Sequence, residues 1–529
     1  MKRNVLIVGG GISGLTAAFE LSENIDLCIT VVESTSKFGG KMRGHFDTKR
    51  GQFVEHSIRA ISSTYFSLFD LFKRADVLDQ LSPVDEYKFY EKSSGKSVVI
   101  DRTAPLSPMV MIDMMRSFNL SPRDMVHMVS RILHHVNASE EERAQMAHQK
   151  AGDAIGVENF DPLTKQFITN WFGILTGARM HSKAVDIMDS FLLMFLPMTE
   201  SPNLPDGKVS KSYCFNRPTS HVIDSLVDLL KGRGVKLITD TRLTSIELDG
   251  DTVRVKTNPG LIDSASFDAA VMAVPHEVML KLGLLNTESS LADEWSFGAQ
   301  FPLDKLPEAM KPFVSKSYNL CFDAPWNIVF QIQHRDGFWT DVEFPDGTRY
   351  NLSATSSSPH NNGALYGKPM GECTPDEVLN EVLFQLGISD EEERAELAAR
   401  AVVDPIFLEF TEDWKDAADL ETVEFGPLHK DGRRWINRAQ IYVRSALDPE
   451  IGPACGMKGV FLAGEVVTVP GRWKIPTMEQ AATSGKQAAQ LVFEHLRVPN
   501  AVSIETSQLG HKHAARAAEL ILNSLSKLM

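Results

Sequence analysis

At 529 residues, the chain is too long for one ordinary core and large enough to enclose a sizeable ligand, so two interleaved domains are expected. Lys and Arg total 54 against 69 Asp and Glu, giving a net charge of −15 with no basic cluster, which excludes nucleic acid as a partner. Hydrophobic residues at 43% and charged residues at 23%, without low-complexity tracts, exclude extensive disorder.

Five scattered cysteines (Cys28, Cys214, Cys321, Cys373, Cys455) form no CxxC pair and leave one unpaired under any disulfide scheme, as suits a reducing compartment. The apolar run after Lys2 and Arg3 meets glycines too soon for a signal-peptide core, and no stretch reaches the roughly 18 apolar residues of a membrane span. The expectation is a cytoplasmic protein, with peripheral contact to one membrane face left open.

Asn4 to Val8 read NVLIV, a β-branched run of the kind buried on both faces of a parallel sheet. Gly9-x-Gly11-x-x-Gly14 follows and opens the helical period of Leu15, Ala18, Phe19 and Leu21. In this spacing Gly9 permits the tight turn, Gly11 lets backbone approach a pyrophosphate, and Gly14 lets helix and strand pack closely. The amides at the helix start, those of Ile12 and Ser13 among them, then face the phosphates. A second strand, CITVVE, ends in Glu33, 19 positions after Gly14, where its carboxylate suits the ribose hydroxyls of an adenosine. These elements in this order predict a bound dinucleotide.

Gly39-Gly40-Lys41 and Arg43 come next, a second glycine pair with basic residues that suits a loop folding back over a pyrophosphate. The whole segment resembles the flavin amine oxidase and carotene desaturase superfamily, whose pattern is a glycine fingerprint, an acid, then GG[RK]. The resemblance implies FAD rather than a nicotinamide. GQFVEHSIRAISS then resembles the segment of plant-type carotene desaturases and hydroxysqualene dehydroxylases that passes beneath the flavin. This would bring His56, Ser57 and Arg59 to the isoalloxazine.

From 100 to 200 the chain reads as Met- and Phe-rich helices, which fit plain core packing or, alternatively, a pliable apolar tunnel or a membrane-dipping patch. His134-His135 reads as part of a polar helix face without a ligand set, so no metal site is expected. NRPTSHVIDSLVDLLKGRG reads as a helix with a glycine stop, followed by three strands. In the resembling family the backbone of the strand edge at Leu243 touches adenine, and the strand of 267–275 ends close to the pyrophosphate. Asp346-Gly347 marks a hairpin within FWTDVEFPDGTRYNLSAT, and Thr374 a helix cap. Trp326, Trp339, Trp414 and Trp435 read as core or surface packing before pocket lining.

GVFLAGEVVTVPGRWKIPTMEQAATSGKQAAQLV closes the pattern. VFLAG is a buried strand whose end brings Gly464 and Glu465 to the cofactor, and Pro476-Thr477-Met478-Glu479 opens a helix with proline in its first turn. That helix N-terminus would favour negative charge on the flavin edge. The segment is similar to the superfamily's AG[DE]…[TS]MEGA..SG..AA signature. It departs at Gln480, where glycine is usual, and in the insertion 471–474, which places Trp473 and Lys474 near the expected site.

The expected fold is α/β: an FAD-binding, Rossmann-like doubly wound domain interleaved with an α+β substrate domain. The cofactor parts are expected at 1–95, 211–285 and 436–498. A helical part at 96–210, a substrate part at 286–435 and an amphipathic helix within 499–529 fill the rest. The resemblance implies an FAD-dependent oxidoreductase that takes hydride from an organic substrate, with desaturation of an apolar, isoprenoid-like molecule first. A flavin amine or amino-acid oxidase is the alternative, and a non-catalytic lipid-binding protein of the Rab escort type a third, which Glu33 and Glu465 argue against. Arg217 and Arg59 are the candidate catalytic residues. The FAD is expected to be non-covalent, and the electron acceptor, quinone or oxygen, stays open.

Overall fold

The computed structural model describes residues 2–508 apart from 56, 105–107, 177–178, 196–197, 208, 286–295, 340–341, 343, 404–407, 413–422, 438–443 and 447. His56, Trp414 and the expected C-terminal amphipathic helix lie outside the described residues.

The β-branched run at the N-terminus is the central strand of a five-stranded sheet in the order Lys236–Ile238, Leu27–Val32, Arg3–Val8, Ala269–Met272 and Val460–Leu462. Every neighbouring pair is parallel. Parallel strands are buried on both faces, and Val5, Leu6 and Ile7 are accordingly 0% exposed. The strands come from three distant regions of chain, so this layer is assembled from both ends of the sequence and its middle.

The second layer is a seven-stranded sheet in the order Val402–Val403, Phe297–Leu303, Tyr350–Ser356, Ile328–His334, Ser317–Cys321, Glu86–Glu91 and Lys96–Asp101. Its one parallel contact joins Ser317–Cys321 to Glu86–Glu91. The boundary expected at residue 95 therefore falls inside a hairpin whose two strands both belong to this second sheet. The reason is burial: Tyr87 and Phe89 alternate inward against the helical region, a period-2 pattern that the chain positions around them do not reveal.

Strands Ile328–His334 and Tyr350–Ser356 pair antiparallel, so the expected hairpin exists with Asp346-Gly347 in its connection. Its first arm ends at His334, earlier than the alternation of 338–344 suggested. Trp339, Val342 and Phe344 instead pack into the core from the long connection. Thr374 caps its helix, Pro375–Gln385, in a reciprocal capping box with Glu377.

The helical region packs Met114, Met125, Met128, Phe118, Phe167 and Phe172 into the main core, as plain packing requires. His135 departs from the polar face expected of it: it is fully buried, with Nε2 2.9 Å from Asp189 Oδ1. Asp189 lies on the helix Ala184–Phe195 and also takes Arg143 and Arg472. Trp326, Trp339 and Trp435 are buried in the cores. Among the described residues, no helix is long and apolar enough to cross a membrane.

Candidate active site

A cavity of about 460 Å³ runs from the C-terminal ends of the parallel strands to the inner face of the seven-stranded sheet. Ligands of open α/β sheets occupy this position, beyond the carboxyl ends of the strands.

The first wall is the glycine turn. Gly9 has φ +101°, and a side chain there would collide with the carbonyl of Ala273 on the neighbouring strand, so only glycine fits. A side chain at Gly14 would strike the Gly9 carbonyl, which is the close packing expected of that position. Gly11 differs: the nearest atom to a Cβ there is Gly40 Cα at 3.8 Å, so the turn leaves open space on its cavity side. The helix Ile12–Leu21 makes its first intrahelical bond from Leu15 N to Gly11 O. The amides of Ile12, Ser13 and Gly14 consequently have no helical acceptor, and Ile12 and Ser13 line the cavity.

Glu33 ends its strand at the same wall. Its carboxylate accepts from Gly10 N (2.8 Å), Thr35 N (2.9 Å) and Thr35 Oγ1 (2.8 Å) while still lining the cavity. Gly39 pairs with Gly11 in a β-bridge, bringing Gly40 and Lys41 over the turn. Arg43 Nη1 donates to Thr35 Oγ1 (2.7 Å) and the Lys37 carbonyl (2.9 Å), which fixes the loop between the acid and the second glycine pair. Leu243, with Thr241 and Arg242, closes the end beside Glu33.

The closing segment supplies the opposite wall. Gly464 and Glu465 follow the strand Val460–Leu462, and Lys41 Nζ meets Glu465 Oε1 at 2.6 Å. The helix begins at Met478, two residues later than the proline that the sequence suggested as its start. Thr477 is its cap, accepting from Gln480 N at 3.1 Å, and Pro476 stands outside the helix. Hydroxyl capping satisfies one early amide and leaves the positive helix end facing the cavity, which Pro476, Thr477, Met478, Gln480 and Ala481 line. The small residues behind serve a helix contact: a side chain at Gly485 would collide with the Ser13 carbonyl, so this helix and the first one touch backbone to backbone.

Gln480, the departure from glycine, is buried. Its Nε2 donates to the carbonyls of Gly464 (2.7 Å) and Val467 (2.8 Å), stapling the helix to the turn after the strand. Glu479 is buried too, accepting from Ser67 N and Leu68 N (both 2.9 Å) at the start of the helix Phe66–Arg74. Burial pushes its carboxyl up to about 7, against the pull of those amides.

Beyond the turns, Tyr65, Tyr87, Tyr318, Met194, Leu320 and Val329 form an apolar end. Tyr87 and Ser212 share a hydroxyl hydrogen bond of 2.7 Å, and Tyr318 donates to the Arg59 carbonyl at 2.7 Å. Sequence reasoning missed these three tyrosines, which arrive from three unrelated segments and carry no spacing signal.

Arg59 reaches the cavity with Ser57, but its guanidinium is committed. Nη1 bonds Glu55 Oε2 (2.7 Å) and the Ser57 carbonyl (3.0 Å), and Nη2 the Lys41 carbonyl (2.9 Å). It braces the second glycine turn against the segment beneath, which makes it a positioning residue. Glu55 in turn accepts from Thr219 N at 2.9 Å. Arg217 is not among the lining residues: it sits between the strand Ser212–Phe215 and the helix Thr219–Gly232, donating to Asn216 Oδ1. Neither Trp473 nor Lys474 lines the cavity; Trp473 is core. Among the described residues no cluster of His, Cys, Asp and Glu is placed to hold a metal ion.

The donor set fits a dinucleotide whose flavin end points at the apolar wall. Free amides and the open space at Gly11 suit the pyrophosphate, and Glu33 suits the ribose.

Comparison with known proteins gives the same frame. Over 63 residues the chain is 40% identical to a hydroxysqualene dehydroxylase of Sinorhizobium fredii (strain NBRC 101917 / NGR234), a stretch covering 12% of this chain and 15% of that relative's length. The cyclohexylamine oxidase of Brevibacterium oxydans IH-35A superposes with a TM-score of 0.58 at 12% identity, covering 94% of this chain and 100% of that one. A putrescine oxidase bound to putrescine gives 0.59 at 12% identity, covering 93% and 99%. At such identities the two oxidases show the shared fold alone. Residues 12–299, more than half of the chain, match the flavin containing amine oxidoreductases, and the protein belongs to that family as a flavin-dependent oxidoreductase.

Proposed function

We propose that the protein is an FAD-dependent dehydrogenase that desaturates a carbon–carbon bond of a neutral, apolar, isoprenoid-like substrate, with the FAD held non-covalently. The observation that carries this reading is the charge distribution along the cavity. Among its described lining residues the only carboxylates are Glu33 and Glu465, both at the glycine turns. The apolar end offers three tyrosine rings and aliphatic side chains, so an ammonium substrate would find ring faces there but no carboxylate to replace its hydration. A hydrocarbon chain loses nothing there.

The short stretch shared with a hydroxysqualene dehydroxylase agrees with an isoprenoid-like substrate. No cysteine or histidine stands among the described lining residues, which agrees with a cofactor held without a covalent tether.

The flavin supplies a two-electron acceptor for hydride; the protein supplies position and field. The positive end of the helix Met478–Leu496 favours the negative charge that reduction brings. The Tyr87 and Tyr318 hydroxyls are tied to protein partners, so a substrate there would meet ring surface rather than free hydroxyls.

Anaerobic mixing of the FAD-loaded protein with an isoprenoid hydrocarbon in detergent, and separately with putrescine and cyclohexylamine, tests the reading through flavin bleaching. Bleaching by the hydrocarbon supports desaturation. Bleaching by the amines, with peroxide released when oxygen is readmitted, transfers the assignment to amine oxidation.

A further inference from the structure

Tyr65 stands where three pieces of the closing segment converge. It lines the cavity and caps the helix Phe66–Arg74. Its ring packs edge-on against Trp473, with centroids 4.8 Å apart and planes at 88°. Its buried hydroxyl faces the Thr477 side chain, itself the cap of the helix Met478–Leu496. The amides that follow it, Ser67 N and Leu68 N, are held by Glu479.

Trp473 belongs to the insertion 471–474, and the insertion is anchored on both sides of it. Arg472 Nη1 bonds Asp189 Oδ1 at 2.7 Å, and the Lys474 carbonyl accepts from Arg444 Nη2, which also bonds Asp186 (both 2.9 Å). Asp186 and Asp189 are buried and three residues apart, so they share one face of the helix Ala184–Phe195. Between these anchors Trp473 is 5% exposed, and its Nε1 donates to Thr64 Oγ1 at 3.0 Å, on the residue before Tyr65. Thr64 is tied again through Ser62, whose hydroxyl lies 2.9 Å from its own.

We propose that Trp473 is a positioning residue: clamped through its neighbours to Asp186 and Asp189, it sets the angle of the Tyr65 ring at the wall shared by flavin and substrate. An edge-on aromatic contact is directional, so an aliphatic replacement releases the ring, both by removing that contact and by leaving space beside it. The same clamp ties the helix carrying Met194, another lining residue, to the closing segment. The proposal rests on the cavity holding the flavin and is independent of which substrate it takes.

The test uses FAD-loaded full-length protein and sulfite, a small nucleophile that adds reversibly at flavin N5 and needs no substrate. Wild type, Trp473→Leu, Tyr65→Leu and the double variant are titrated with sulfite, and their visible circular dichroism is recorded. Each single variant is expected to change sulfite affinity about tenfold and alter the flavin dichroism, and the double variant to change neither further, because the two residues act as one unit. Additive effects, or an unchanged sulfite affinity in either single variant, overturn the proposal. Should Trp473→Leu not fold, Trp473→Phe keeps an edge-on ring without the indole N–H and is expected to change affinity about threefold in the same cycle, additivity again overturning the proposal. Colourless wild-type protein would sink the flavin reading itself; coloured variants with unmoved affinity would sink only the role of Trp473.

Discussion

Lys41 Nζ and Glu465 Oε1 are 2.6 Å apart although 424 residues separate them in the chain. Each is a lining residue of the cavity, one on the second glycine turn and the other just past the last parallel strand. The pair therefore joins the N-terminal and closing walls of the cavity.

Glu465→Gln is expected to weaken FAD binding about tenfold, roughly 1.4 kcal/mol, and to make binding less sensitive to salt, since a partly exposed ionic contact is screened. Titration of apoprotein by quenching of free FAD fluorescence at low and high salt checks this. An unchanged affinity would remove Glu465 from the cofactor site.

The glycine turn gives a contrasting pair. Gly9→Ala places a methyl group into the Ala273 carbonyl in a left-handed conformation, so the protein is expected to lose thermal stability with or without flavin. Gly11→Ala meets only ordinary contact, so apoprotein stability should stay near wild type while FAD affinity falls by about tenfold or more. Melting curves taken with and without FAD separate the two; equal behaviour would refute the assignment of the open space to the pyrophosphate.

Glu479 carries a pH dependence whose sign follows from burial. Its carboxyl is raised from 4.5 to about 7, so between these values the folded protein holds a proton that the unfolded chain has released. Stability should therefore fall as pH rises from about 4.5 through 7, by up to about 3 kcal/mol, and level off above. Urea midpoints across that window measure it. Glu479→Gln should flatten the decline; a wild-type stability that rises across the window would show that the two helix amides outweigh burial.

Replacing Gln480 by alanine leaves the Gly464 and Val467 carbonyls without their amide donor in a buried site. The expected cost is about 1–3 kcal/mol in denaturant titration. Gln480→Gly restores the residue usual in the resembling signature, and it should cost at least as much, since the staple is lost and glycine adds up to about 1 kcal/mol within a helix.

The glycine-turn half of the cavity was legible because its geometry is local. Gly9, Gly11, Gly14, Glu33, Gly39 and Gly40 act through backbone turns a few residues long, and turns leave a spacing in the sequence. Lys41 and Glu465 were legible singly, as motif members, while their contact across the fold was not. The apolar half was illegible for the opposite reason. Tyr87 and Tyr318 meet through the pairing of Glu86–Glu91 with Ser317–Cys321, and Tyr65 reaches the same cavity from a separate segment, so nothing periodic marks the meeting. Arg217 misled because basic residues close to a domain crossing look the same whether they face a cavity or a turn. Trp473 and Lys474 were rightly singled out as unusual, but tryptophan after a Pro-Gly turn fits a core wedge as well as a ligand contact.

The parallel pairing of Glu86–Glu91 with Ser317–Cys321 has a consequence for how the molecule comes apart. The chain leaves the dinucleotide layer, lays an edge hairpin on the other sheet, returns, and leaves again, so neither layer is made of one continuous stretch. Melting one would pull strands out of the other, so the two layers are expected to lose structure together rather than one after the other. No truncation at a chain position can yield a free-standing nucleotide module.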